Sequence, residues 1–166
     1  MSNVSRPSTL IATITVSDTR DASRDSGGTL LRDRLAQSGF TLGPHAIVRD
    51  DLQAIQAAVQ TTIADSSVGA IVITGGTGIG PRDVTIEAIE PLFEKRIDGF
   101  GEAFRRLSWE HVGTRAILSR AVAGVVKGRL VFALPGSPKA VALGVEQLVA
   151  GVLGHALEML VGKGHG

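Results

Sequence analysis

The chain contains no cysteine, and aromatic residues make up only 4% of its 166 positions. Without thiols there is no disulfide framework, no cysteine-ligated zinc and no sulfur nucleophile. With so few aromatic rings there is little to stack on bases. The 17 basic and 16 acidic side chains are scattered and nearly cancel, so nucleic acid is not an expected partner. The polar amino terminus, MSNVSRPSTL, lacks the apolar core of a secretory signal, which points to the cytoplasm. No apolar run is free of charge over a membrane-spanning length. The nearest, residues 139 to 161, carries Glu146, His155 and Glu158, which argues against a lipid span and for a helix buried by its own sheet or another subunit.

What is present is core material. At 43% hydrophobic content a chain of this size can bury a core unaided, and no repeat, linker or composition shift marks a second domain, so one domain over residues 1–166 is expected. Residues 10 to 16 form a β-branched apolar run ending at Ser17-Asp18-Thr19, as a strand buried on both faces would. From Gly28 the spacing turns helical through Leu30, Leu31 and Leu35, with Gly39 closing it. A short strand at 46–48, a helix from Asp51 to about Ala64 and a strand at 70–73 follow. Strands alternating with helices imply right-handed crossovers. The expected class is α/β, a three-layer αβα sandwich around a mostly parallel sheet. Residues 86–93 and 101–109 read as helices. Strands at 116–126 and 129–134, joined around Lys127-Gly128, make a hairpin that brings in one antiparallel strand. Leu134-Pro135-Gly136-Ser137-Pro138 then opens a long closing helix, with Ser137 placed to cap it.

The third strand runs straight into Thr74-Gly75-Gly76-Thr77-Gly78-Ile79-Gly80-Pro81-Arg82-Asp83. Ligands bind at the carboxyl ends of parallel strands, and glycines let consecutive N–H groups converge on a phosphate. Arg82 offers a cation for an anion, and Asp83 a ligand for a metal or hydroxyl. The spacing excludes a dinucleotide fingerprint, because Pro81 occupies the place of the third glycine, and a P-loop, because no lysine is present.

TGGTGIGPRDVTIEAI resembles the TGGTG-x-x-x-RD-x-T-x-EA motif of the MoaB/MogA family of molybdenum cofactor biosynthesis proteins. VSDTRDASRDSGGTLLRDRL resembles that family's first strand and loop, IVRDD its second, GFGEAFRRLSWEHVGTRAILSRAVAG its middle and LPGSPKAV its last turn. The motifs come in the family's order and cover nearly the whole chain, and its body is most similar to MoaB. The resemblance implies binding of molybdopterin, a pterin dithiolene with a terminal phosphate. In MogA-type members it further implies Mg-ATP-dependent adenylylation of that phosphate, with the product handed to a MoeA-type molybdenum-inserting protein. Homotrimers or homohexamers are implied as well.

Carried over by motif, the catalytic and metal-holding carboxylates are Asp50 and Asp83, with Asp51 an alternative to Asp50 that also suits a helix start. The implied substrate contacts are Asp18, Ser26 and Gly27 after the first strand, Thr74 through Gly78 with Arg82 in the glycine loop, Ser119 and Arg120 in LSR, and Pro135, Gly136 and Ser137 in the last turn. Ser137 reads equally well as a plain helix cap, and it stands where the family often has Asn. Some MoaB members lack one or both active acidic residues, whereas this chain keeps both. Two functions therefore stay open: a molybdopterin adenylyltransferase, and a non-catalytic molybdopterin-binding or delivery protein. Molybdenum and tungsten pathways are not distinguished. The four histidines share no ligand spacing, Phe100, Phe104 and Trp109 fit a core or subunit interface, and Glu87 suits a helix start.

Overall fold

From Ile11 to Val16 every residue of strand β1 (Leu10–Val16) is buried, as its run of β-branched side chains requires of a central parallel strand. The computed structural model describes residues 9–162. After β1 come α1 (Ser26–Gln37), β2 (Thr41–Val48), α2 (Leu52–Ile63), β3 (Val68–Thr74), α3 (Thr85–Ile89), β4 (Lys95–Arg96) and α4 (Asp98–Val112). The chain continues with β5 (Val122–Val126), β6 (Arg129–Leu134), α5 (Pro138–Gly144) and α6 (Ala150–Leu160).

The sheet runs in the order β2-β1-β3-β6-β5-β4. Pairs β1–β2, β1–β3 and β3–β6 are parallel, while β5 lies antiparallel to both β6 and β4. That reversal is local: Lys127 (φ 48°) and Gly128 (φ 73°) both take positive φ in a two-residue turn whose twist matches the strands it joins. Helices α1, α4, α5 and α6 cover one face through Leu31, Leu35, Phe104, Val141 and Leu153, among others. The other face is covered by α2 and α3 through Ile55, Val59, Ile63, Ile86 and Ile89. This is the expected three-layer α/β architecture. Each such side chain taken fully out of water contributes about 1.5–3 kcal/mol.

Several boundaries differ from expectation, each for a physical reason. Residues 113–118 form a 3₁₀ segment and not the start of a strand: Gly113 (φ +61°) ends α4, and apolar Ile117 and Leu118 lie on the surface. Helix α3 stops at Ile89, and a 3₁₀ turn follows, because Pro91 lacks the N–H that would continue it. Strand β2 starts at Thr41, well before Ala46. Pro44 is tolerated there because β2 is an edge strand, and the register with β1 shifts between Ile11 and Thr13 to accommodate it. The two-residue β4 had no readable pattern. The closing helix contains a π-helical turn, Val145–Val149, between α5 and α6. Its 23 residues, Pro138–Leu160, are long and apolar enough to cross a membrane by length and composition, with an 18-residue window that reaches a mean hydropathy of 1.5. One stripe of it, Val141, Val145, Val149 and Leu153, is fully enclosed in the core.

Order and connectivity locate the cleft. The β1-α1-β2 crossover moves one way along the sheet, and β2-α2-β3 returns over the opposite face to land on the far side of β1. The strand order therefore reverses between β1 and β3, and a crevice opens at their carboxyl ends.

Candidate functional site

Strands β1, β2, β3 and β6 all end on this edge, so the segments after Val16, Val48, Thr74 and Leu134 converge on a cleft of about 380 Å³. Thr15, Asp18, Arg20, Asp50, Thr74, Gly75, Gly76, Asp83, Gly136 and Ser137 line it.

The glycine loop is shaped by contacts that leave no room for side chains. Gly75 has φ +100°, and a Cβ there would sit 2.4 Å from the Val16 carbonyl oxygen. Gly76 has φ +69°, and its Cβ would meet the Thr85 hydroxyl at 2.3 Å. Buried Thr85 is the clasp: its hydroxyl donates to Gly75 O (2.8 Å) and its N–H to Gly76 O (3.1 Å). Thr74 ties the loop to the last turn by donating to Pro135 O at 3.0 Å. Arg120 secures the outer half. Its guanidinium donates to Gly78 O and Asp83 O and pairs with Glu87, and its backbone N–H reaches Thr77 O. Arg120 thus acts on the loop's carbonyls, and Thr77 and Gly78 lie beneath it. The Arg120 contact also draws the Glu87 carboxyl below its ordinary range.

Three carboxylates meet in the cleft under unlike conditions. Asp18 Oδ1 accepts the Asp50 N–H at 3.0 Å, and Oδ2 receives Arg82 Nε and Nη2, each at 2.9 Å. The Arg82 bonds, with the Asp50 N–H, hold the Asp18 carboxyl below the usual range. Arg82 is therefore paired with Asp18, while its side chain stays largely exposed. Asp50 is pushed the other way: burial raises it, and the charges of Asp18 and Asp83 raise it further. Asp83 Oδ2 accepts the Gly80 N–H at 2.9 Å, closing the turn that ends the loop. Asp51, next in the chain, lies outside this cleft and caps α2 by accepting the Ala54 N–H at 2.8 Å. Among the described residues no group of three His, Asp, Glu or Cys side chains suits a metal. What the cleft offers a cation is Asp50 beside Asp83.

The remaining candidates fall elsewhere. Ser26 is the exposed first residue of α1, and Gly27 is packed between the Arg20 guanidinium and Gly136 O. Ser137 caps α5 by accepting the Ala140 N–H at 3.2 Å, and it also borders both the cleft and a neighbouring hollow of about 550 Å³. Pro135 and Ser119 face that hollow, together with Phe104, His111, Arg115 and Lys139. Among the described residues the buried Ser119 hydroxyl has no hydrogen-bond partner.

Sequence reasoning missed the support beneath the cleft. Asp25, only 4% exposed, accepts from the Thr15 hydroxyl (3.0 Å), the Gly28 N–H (2.9 Å) and His45 Nε2 (2.7 Å). His45 Nδ1 lies 2.8 Å from Thr13 Oγ1, which itself accepts from Arg32. Burial on its own would raise Asp25, but the bonds from His45, Gly28 and Thr15 outweigh it and hold the carboxyl below its usual range. The one readable signal was Asp25 three residues before Gly28, a helix-cap spacing. His45 had none, because the register shift in β2 sets it beside Thr13.

Known proteins resemble the chain over nearly its whole length. Residues 12–155 match a family model described as "Probable molybdopterin binding domain". Molybdenum cofactor biosynthesis protein B of Staphylococcus carnosus is 50% identical over 152 residues, spanning 90% of this chain and 89% of that one. A crystal structure of a molybdenum cofactor biosynthesis protein B superposes with a TM-score of 0.89 at 40% identity, covering 94% of this chain and 98% of that one. The tungsten cofactor synthesizing protein MoaB from Pyrococcus furiosus gives 0.82 at 36% identity, covering 95% and 98%.

Proposed function

The chain belongs to the molybdopterin-binding family of molybdenum cofactor biosynthesis proteins, and from that premise we propose that its cleft adenylylates the terminal phosphate of molybdopterin using Mg-ATP. The observation that carries the reading is the pairing of Asp50 with Asp83 in one cleft beside the Gly75-Gly76 turn. Asp50 is half-buried among like charges that raise its affinity for any positive partner, which suits a carboxylate awaiting a cation that arrives with phosphates. Mg²⁺ takes one or two protein carboxylates plus substrate oxygens, so Asp50 and Asp83 fit it, and when bound it would neutralise crowded phosphate oxygens.

The protein's own groups position the reactants. Gly75 and Gly76, bare of side chains and clasped by Thr85, let a phosphate approach the backbone closely. Arg120 keeps the loop from spreading. A phosphate oxygen of molybdopterin attacks the α-phosphorus of ATP while the bond to the leaving pyrophosphate breaks. The hollow beyond Ser137 is of a size for the pterin, and its largely apolar wall carries the polar side chains of Arg115, Lys139 and Ser119.

Incubation with molybdopterin, Mg²⁺ and ATP is expected to release pyrophosphate and adenylylated pterin, with Asp50→Ala and Asp83→Ala losing turnover while still binding molybdopterin. The same carboxylates can serve binding alone, which supports a second reading, a non-catalytic molybdopterin-binding or delivery protein. Molybdopterin binding by wild type without product establishes that reading and removes the first. Delivery to a MoeA-type partner and homo-oligomerisation belong to the same proposal. The half-exposed apolar side chains of Trp109, Val112, Ile117 and Leu118 supply surface for the latter, and light scattering that reports a monomer at micromolar concentration counts against it.

A further inference from the structure

Two guanidinium groups stand at the cleft, and their situations are opposite. Arg82 is held by Asp18, whose other oxygen positions the Asp50 backbone, so moving Arg82 onto a ligand would strip a carboxylate of its counter-charge beside Asp50. Arg20 lines the cleft itself, and among the described residues its guanidinium has no hydrogen bond or ion pair. Its backbone is fixed, because the Ser17 hydroxyl accepts the N–H groups of both Thr19 and Arg20. Its head group lies over the start of α1: a Cβ on Gly27 would sit 3.0 Å from Arg20 Nη1 and 3.4 Å from Gly136 O. Gly27 is thus what allows the guanidinium to lie between α1 and the last turn, facing a cleft otherwise lined by three carboxylates.

We propose that Arg20 is the side chain that receives a phosphate group of the ligand in this cleft, and that Arg82 is a positioning residue for Asp18 and Asp50. The proposal rests on reading the cleft as a phosphate site. Arg20 is the cationic side chain in a lining that holds Asp18, Asp50 and Asp83, and a guanidinium binds phosphate bidentately. The phosphate belongs to molybdopterin or to ATP, and separate titrations tell them apart.

Calorimetric titration of the full chain with molybdopterin alone and with Mg-ATP alone tests this in wild type, Arg20→Gln, Arg20→Lys, Arg82→Gln and Gly27→Ala. Arg20→Gln is expected to weaken one of the two ligands about tenfold to a hundredfold, the loss typical of a charged hydrogen bond, with melting temperature unchanged. Arg20→Lys recovers part of that affinity, and Arg82→Gln changes binding less than about threefold. Gly27→Ala, which crowds the guanidinium, weakens the same ligand without losing stability and adds nothing in the Arg20→Gln background. Unchanged affinity for both ligands in Arg20→Gln, or a loss confined to Arg82→Gln, overturns the assignment. Wild type that binds a ligand through Arg20 yet makes no adenylylated pterin sinks the adenylylation reading alone, and wild type that binds neither sinks both.

Discussion

Replacing Asp25 by alanine removes one carboxylate on which two strands and a helix depend. Three donors lose their acceptor: the Thr15 hydroxyl of β1, the Gly28 N–H of α1 and His45 Nε2 of β2. Loss of the helix cap costs about 1 kcal/mol. Each bond to a buried charge adds about 1.5–3 kcal/mol, although the losses overlap because the freed groups share one space. The total is about 3–5 kcal/mol, as for breaking a buried pair, and at about 2–4 °C per kcal/mol the melting temperature falls about 6–20 °C. Asp25→Asn keeps the volume and one acceptor and is expected to lose about half as much.

The pH dependence follows from the depressed Asp25 carboxyl. A carboxyl with a lowered pKa in the folded state binds protons more weakly there than when unfolded. Its stabilisation is therefore complete above the ordinary carboxylate value near pH 4 and disappears as pH falls from there through the folded value. Urea denaturation should give the same gap between wild type and Asp25→Asn at pH 7 and pH 5, and a shrinking gap below about pH 4. A loss below about 1 kcal/mol in Asp25→Ala, or a gap that persists unchanged in acid, would refute the account of a buried ionised anchor.

Further outcomes concern the glycine loop. Gly75→Ala must place a methyl group 2.4 Å from the Val16 carbonyl at positive φ, so a stability loss of about 3 kcal/mol or more is expected by thermal denaturation. Thr85→Val keeps the shape but removes the donor to Gly75 O, at about 1–2 kcal/mol measured in urea. Arg120→Gln releases the carbonyls of Gly78 and Asp83, and amide hydrogen exchange should accelerate in residues 77–83 while β1 and β3 stay protected. Uniform exchange across loop and sheet would mean that Arg120 does not hold the loop.

How much was legible in the sequence follows from the range of each interaction. The β-branched run of β1, the helical spacing of Leu31 and Leu35, the Lys127-Gly128 turn and the glycine motif are local patterns, and local sterics and burial were enough to read them. They determined the α/β class, the antiparallel hairpin and the family. Ile117 and Leu118 misled because apolar character alone does not say which surface a residue joins. Charge partners belonged to the tertiary structure alone. Arg82 finds Asp18 across 64 positions and Arg120 finds Gly78 across 42, so the intramolecular partners of both guanidiniums come from distant segments that no local pattern brings together. Asp50 and Asp51 are chemically alike neighbours, yet one enters the cleft and the other caps α2, because β2 ends between Val48 and the helix start at Leu52. His45 reaches Asp25 only through a register shift that no short pattern announces. A side chain's type is written in the chain, but whether its charge is free is settled by what the fold packs against it.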